Sequence, residues 1–304
     1  MRLVRIDLDG SLPAQAAIPS GPDWNGAHAV DMRKWGPGMR IVATRAGIRR
    51  FIERLGPVGD APEVIFYGSG DFHHLSAALL ARLDRPVTVI HFDNHPDWTA
   101  FPPSFNCGGW VARALALPHV ARIITIGPCS DDFVWPEAKL AGLGALRRGR
   151  HEVYPWARPP SFVLGHYGDG PGRRQNGRHL HWRNLADEDW PDFLDDLVAQ
   201  LPAMPLYITI DKDVLRPREA RTNWDQGRMS LQGLSLALER LAGARAIAGV
   251  DICGEYSLPA FSNPFRRALA YVDHPRLPAA TSADLAVNAH TNAALIASFR
   301  RLLG

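Results

Sequence analysis

The chain has 304 residues, 46% of them hydrophobic and 21% charged, enough to bury a sizeable core and outside the disordered and low-complexity classes. Lys and Arg number 34 against 31 Asp and Glu, and the basic residues are scattered instead of forming a stripe, so charge does not indicate a nucleic-acid partner. Cys107, Cys129 and Cys253 are far apart and form no C-x-x-C pair, which excludes a disulfide framework and a thiolate zinc site and fits a reducing cytoplasm. The first residues carry charge at Arg2, Arg5, Asp7 and Asp9, where a signal peptide needs an unbroken apolar stretch. No apolar run reaches membrane-spanning length, so the chain reads as cytoplasmic with no membrane partner.

Taken in chain order, short runs rich in Val, Ile, Phe or Tyr recur at 63–68 (EVIFYG), 86–92 (PVTVIHF), 121–127 (ARIITIG), 205–210 (PLYITI) and 246–252 (AIAGVDI). Runs of this length and composition predict strands buried on both faces. Helical stretches lie between them at 75–83, 108–117, 187–201 and 230–243, and a long amphipathic candidate closes the chain at 281–304. Alternation of strand and helix predicts an α/β fold with a parallel sheet covered on both sides. No linker or repeat divides the sequence, so one domain over 1–304 is expected. Two segments, 21–40 and 159–182, are rich in Gly and Arg and read as long surface loops. His166, His179 and His181 in the second are expected to face solvent.

The chemistry lies in the polar residues at the end of each strand. EVIFYG leads into SGDFHH, PVTVIHF into DNHPDW, PLYITI into DKDVL and AIAGVDI into CGEYS. In a parallel sheet these strand ends share one edge, where ligands bind. Asp93, His95 and Asp97 are spaced two apart, as are Asp211 and Asp213, so each set projects to one side of an extended chain. Unit charges ~4 Å apart repel by about 4 kcal/mol at an effective dielectric of 20, so four such carboxylates need positive charge between them. Lys212 points away and Arg216 alone is insufficient, whereas two divalent cations neutralise the set. Carboxylate oxygen with some imidazole suits Mn²⁺ or a similar ion. Two ions ~3.5–4 Å apart lower the pKa of a bridging water, which makes hydrolysis the expected reaction class.

These motifs resemble those of the arginase and agmatinase superfamily, the ureohydrolases: G-G-D-H-S, D-A-H-x-D, D-x-D-x-x-D-P and a late glutamate, from about Gly68 to Tyr256. The resemblance implies a three-layer α/β/α arginase-like fold with a central, mostly parallel sheet and a binuclear manganese cluster at its carboxyl edge. It implies that Asp93 and Asp211 bridge the ions, that His95 and Asp213 are ligands, and that Asp97 binds the ion opposite His95. For the sixth ligand the spacing leaves His73 and His74 open, with His73 favoured by the helix beginning at Leu75. The family's N-x-H-G loop falls on Asn106-Cys107-Gly108-Gly109, so Gly108 stands where arginases carry a proton-shuttling histidine. Its third aspartate falls on Arg216, and its late glutamate on Glu255.

These departures point to a divergent branch: a hydrolase of non-peptide C–N bonds that attacks a guanidine, amidine or amide with a metal-bridging hydroxide. Asp213 would orient or take a proton, and Glu255 would receive the positive end of a small cationic or amide-bearing substrate. Asn223, Trp224 and Asp225 are further candidates for the pocket wall. The alternatives are a metal-dependent deacetylase on a related fold and a metal-binding chain without turnover. A homo-oligomer is left open.

Overall fold

The computed structural model describes all residues except Ser20, 101–104, Ser262 and 274–276. Eight strands form the main sheet: β1 (Arg2–Asp7), β2 (His28–Asp31), β3 (Glu63–Tyr67), β4 (Val87–Phe92), β5 (Val120–Ile126), β6 (His151–Tyr154), β7 (Leu206–Asp211) and β8 (Ile247–Cys253). Their spatial order is β2-β1-β3-β8-β7-β4-β5-β6, and every neighbouring pair is parallel. The central strands β3, β4 and β7 are buried at every position, which is why they read as continuous apolar runs.

The helices divide between the two faces. On one side lie α1 (Arg45–Leu55), α2 (Leu75–Leu80) and α3 (Trp110–Ala114), which pack Phe51, Leu79 and Trp110 against Val89, Ile123 and Tyr207. On the other lie α4 (Trp190–Gln200), α5 (Leu231–Ala244) and α6 (Ser282–Leu303), which pack Phe193, Leu238 and Phe299 against Ile90, Ile124 and Ile208. Local chemistry sets the helix starts: Thr44, Asp189 and Ser230 each accept a hydrogen bond from a backbone N–H of the first turn. Thr281 and Asp284 cap α6 reciprocally. The result is a three-layer α/β/α sandwich with an all-parallel central sheet.

Three strands lie outside the runs expected from the sequence: β1, β2 and β6. In β1, Arg2 and Arg5 interrupt the apolar pattern, whereas β2 is a short edge strand with three exposed residues. The two segments expected to be surface loops are also more ordered than their composition suggests. The first contains β2; the second folds into a three-stranded antiparallel sheet of Ser161–Phe162, Arg173–Asn176 and His179–Trp182. Alternation drives the second, since Leu180 and Trp182 turn inward onto Trp98 and Phe133 while His179 and His181 are exposed. His166 is exposed as well. Among the described residues no helix is long and apolar enough to cross a membrane.

Candidate metal centre

The segments following β3, β4, β5 and β7 line a cavity of about 700 Å³ at the carboxyl edge of the sheet. Beyond β3, Ser69 accepts a hydrogen bond from the Asp71 backbone and starts a short 3₁₀ turn that delivers His73 to the head of α2. Asp71 is used structurally: its carboxylate pairs with Arg40 at 2.6 Å and accepts from Trp224 Nε1 at 3.0 Å. The turn therefore holds His73 over the sheet edge and ties it to the loop that carries Trp224.

His73 Nδ1 lies 3.0 Å from Asp93 Oδ2, 3.1 Å from Asp97 Oδ2 and 3.7 Å from Asp211 Oδ2. His95 Nδ1 lies 2.9 Å from Asp213 Oδ2 and 3.5 Å from Asp93 Oδ1. Asp93 is thus common to two groups of ligand atoms, one with His73, His91 and Asp97 and one with His95 and Asp213, each compact enough to hold one metal ion, while Asp211 groups with His73 and Cys253. Asp211 joins them from below, its Oδ1 accepting the Asp213 backbone N–H at 3.0 Å. Asp97 reaches the cluster through a left-handed backbone, φ 45°, a conformation Asp tolerates better than most residues, and Trp110 Nε1 donates to its Oδ2 at 2.7 Å.

Two glycines make this approach feasible. A Cβ on Gly70 would stand 2.5 Å from Asp211 Oδ2, and one on Gly254, whose φ is +86°, would stand 2.4 Å from Asp211 Oδ1. Asp211 therefore sits in a slot that any side chain at either position would close.

The electrostatics describe a cluster short of positive charge. Burial, reinforced by the Asp211 and Asp93 charges, pushes Asp213 well above the ordinary carboxylate range. Burial and the Asp93 charge push Asp97 up to about 7. Asp93 goes the other way: against burial, hydrogen bonds with His73, His91 and His95 hold it well below that range. Burial opposes charge on His73 and His95, yet the carboxylates beside them raise both well above the usual histidine value. Protons on two imidazoles occupy the gaps between acids, where the donor set of carboxylate oxygen and imidazole nitrogen fits hard or borderline divalent cations.

His74 joins none of these groups. It is fully buried at the start of α2, and burial lowers its pKa to about 3. Glu255 is also elsewhere. Its Oε1 pairs with Lys212 Nζ at 2.5 Å and accepts from Asn292 Nδ2 at 2.7 Å, and its Oε2 accepts from Gln15 Nε2 at 2.7 Å. In this arrangement the charge of Glu255, expected to receive the substrate's positive end, is paired with Lys212, which stands in the 3₁₀ turn Lys212–Val214 that follows β7.

Of the other candidates, Trp224 and Asp225 line the cavity, whereas Asn223 bonds the Ser257 backbone. Asp225 Oδ1 lies 2.9 Å from His95 Nε2, and its side chain is 65% exposed. Gly108 lies in the wall, with 3.7 Å or more of clearance around a Cβ there, and Asp131 and Asp132 stand at the mouth. Sequence reasoning missed His91, whose Nε2 lies 2.8 Å from Asp93 Oδ2. The available signal was a histidine inside an otherwise apolar buried strand.

No protein-family model matches the chain. An uncharacterized protein of Thermotoga maritima is 28% identical over 193 residues, which are 63% of this chain and 58% of that relative; the match spans less than two thirds of the relative's length. The arginase structure from Bacillus subtilis superimposes with a TM-score of 0.56 at 15% identity, covering 100% of this chain and 99% of that one. That of a hypothetical agmatinase from Burkholderia thailandensis gives 0.54 at 15% identity, covering 99% and 86%. The chain shares the fold of these arginase and agmatinase structures.

Proposed function

We propose that the chain is a binuclear metal-dependent hydrolase of C–N bonds other than peptide bonds, a single catalytic domain acting on small guanidino, amidine or amide compounds. The observation that carries this reading is the pair of ligand groups, one around His73 and one around His95, that share Asp93. His73, Asp97 and Asp211 would hold one ion with Asp93, and His95 and Asp213 the other, with Asp211 as second bridge. Mn²⁺ suits this oxygen-rich set best. Such ions supply Lewis acidity and a water activated near neutral pH.

The remaining steps belong to the chain's own side chains. Asp213, deep in the cluster, orients the attacking water and accepts its proton. Asp225 is the acid better placed for the substrate than Glu255: its exposed carboxylate beside His95 receives a cationic substrate end. Asp131 and Asp132 at the mouth add negative charge, with Asp131 partly offset by Arg158 at 3.2 Å. Trp224 walls the cavity next to His95, ring centroids 5.6 Å apart. Gly108 offers no proton carrier, so leaving-group protonation falls to Asp213 or to water.

The test is turnover by Mn²⁺-loaded protein on a panel of guanidino, amidine and N-acetylated amine compounds. Metal-dependent release of urea or of an amine from a cationic guanidino or amidine compound is the expected result. Acetate release alone would replace this reading with the deacetylase. No turnover with both ions bound would replace it with a metal-holding chain that has lost catalysis, the reading that Gly108 favours.

A further inference from the structure

Two residues below the strand ends, a row of polar side chains crosses the otherwise apolar sheet. In register, Asp251 on β8 pairs with Thr209 on β7, Thr209 with His91 on β4, and His91 with Thr125 on β5. All four are fully buried, and each lies two positions before the strand's last or following residue, so they share a face with Asp93 and Asp211. Burying four polar groups in a sheet core is unfavourable unless each is bonded, and here two chains of bonds, Asp251–Thr209–His73 and Thr125–His91–Asp93, run up to the cluster.

Beneath His73, Thr209 donates to Asp251 Oδ1 at 2.8 Å. The same oxygen accepts from Ser76 at 2.8 Å and Tyr67 at 3.0 Å. With its hydrogen committed to Asp251, the Thr209 oxygen, 3.0 Å from His73 Nε2, is left to accept. His73 therefore carries hydrogen on Nε2, which leaves Nδ1, facing Asp93, Asp97 and Asp211, as the nitrogen that would bind a metal ion in place of its proton. Beneath Asp93 the same device recurs. His151 Nε2 lies 2.8 Å from Thr125 Oγ1, which lies 3.0 Å from His91 Nδ1; His91 then turns Nε2 to the shared carboxylate.

We propose that this buried row is a positioning apparatus, in which Thr209 and Asp251 set the tautomer and ring orientation of His73, and Thr125 and His91 fix the orientation of the Asp93 carboxylate. It rests on the metal-centre reading. Its residues touch no substrate: they act through His73 and Asp93, as outer hydrogen-bond partners of metal ligands do. Threonine is suited to the task because its hydroxyl both donates and accepts.

The test uses the full chain and Mn²⁺ alone, comparing wild type with Thr209→Val, which keeps the shape and removes the hydroxyl, and Thr209→Ser, which restores it. Free Mn²⁺ is read by electron paramagnetic resonance during titration, and the melting temperature of each metal-free protein is recorded alongside. Thr209→Val is expected to weaken one of two binding events by about 10- to 100-fold, Thr209→Ser to recover wild-type affinity, and both metal-free variants to remain folded. Equal affinity in all three proteins would overturn the proposal, as would equal weakening in Val and Ser variants, which marks a packing role. Should Thr209→Val melt below the assay temperature, Thr125→Val is read by the same criteria. A wild type that binds no Mn²⁺ overturns the metal reading itself, an outcome distinct from any difference among variants.

Discussion

Asp211 shows how much of this site depends on residues that contribute no ligand. Its carboxylate enters the cluster only because Gly70 and Gly254 leave space on either side. Gly70→Ala places a methyl 2.5 Å from Oδ2, and since the slot is also walled by Trp224 and Lys212, Asp211 has to move. The expected outcome is at least tenfold weaker Mn²⁺ binding, about 1.4 kcal/mol, measured by titration calorimetry; wild-type affinity would show that Asp211 is not required where it stands. At this scale the sequence is informative where spacing matters. The motifs following β4 and β7 do meet at one edge, but through turns instead of the extended chain their two-residue spacing suggested: Asp97 has a left-handed backbone and Asp213 lies in a 3₁₀ turn capped by Asp211. The partners that hold them are less legible: His91, Thr209, Thr125 and Asp251 each look like one polar residue in a strand, and only register shows that they form a row. Choosing between His73 and His74 likewise required the turn that starts at Ser69.

Among elements, the junction of β7, β8 and α6 explains why the late glutamate departs from its expected place. Lys212 and Glu255 are both fully buried and paired, with Asn292 of α6 and Gln15 completing the bonds. Removing one partner of a buried pair leaves an uncompensated charge, at a cost of about 3–5 kcal/mol. Glu255→Gln should therefore lower the unfolding free energy by that amount in a urea titration while leaving metal content unchanged, because the carboxylate does not line the cavity. Intact stability with loss of substrate affinity would instead return Glu255 to the substrate. Central strands were readable from their unbroken apolar runs. β1, β2 and β6 were not, because strands at or near a sheet edge keep charged or polar residues and lose the contrast that marks them. The segment 159–182 was hidden by its Gly and Arg content, which masks the inward alternation of Leu180 and Trp182.

For the whole molecule, a parallel sheet with helices on both faces collects widely separated strand ends at one edge, and that topology turns four short motifs into one cluster. The fold class follows from strand and helix alternation alone. The proposed metal centre rests on charge: buried carboxylates crowded around two histidines call for compensating cations, and two of the candidate ligand groups among the described residues share Asp93. The most direct measurement is metal content by inductively coupled plasma mass spectrometry, on protein purified without a His tag, reconstituted with excess Mn²⁺ and freed of unbound ion, beside Asp93→Ala. The account predicts about two ions per chain, with both lost or greatly weakened in the variant. One ion per chain, or unchanged content in Asp93→Ala, would contradict a binuclear centre built on the shared carboxylate.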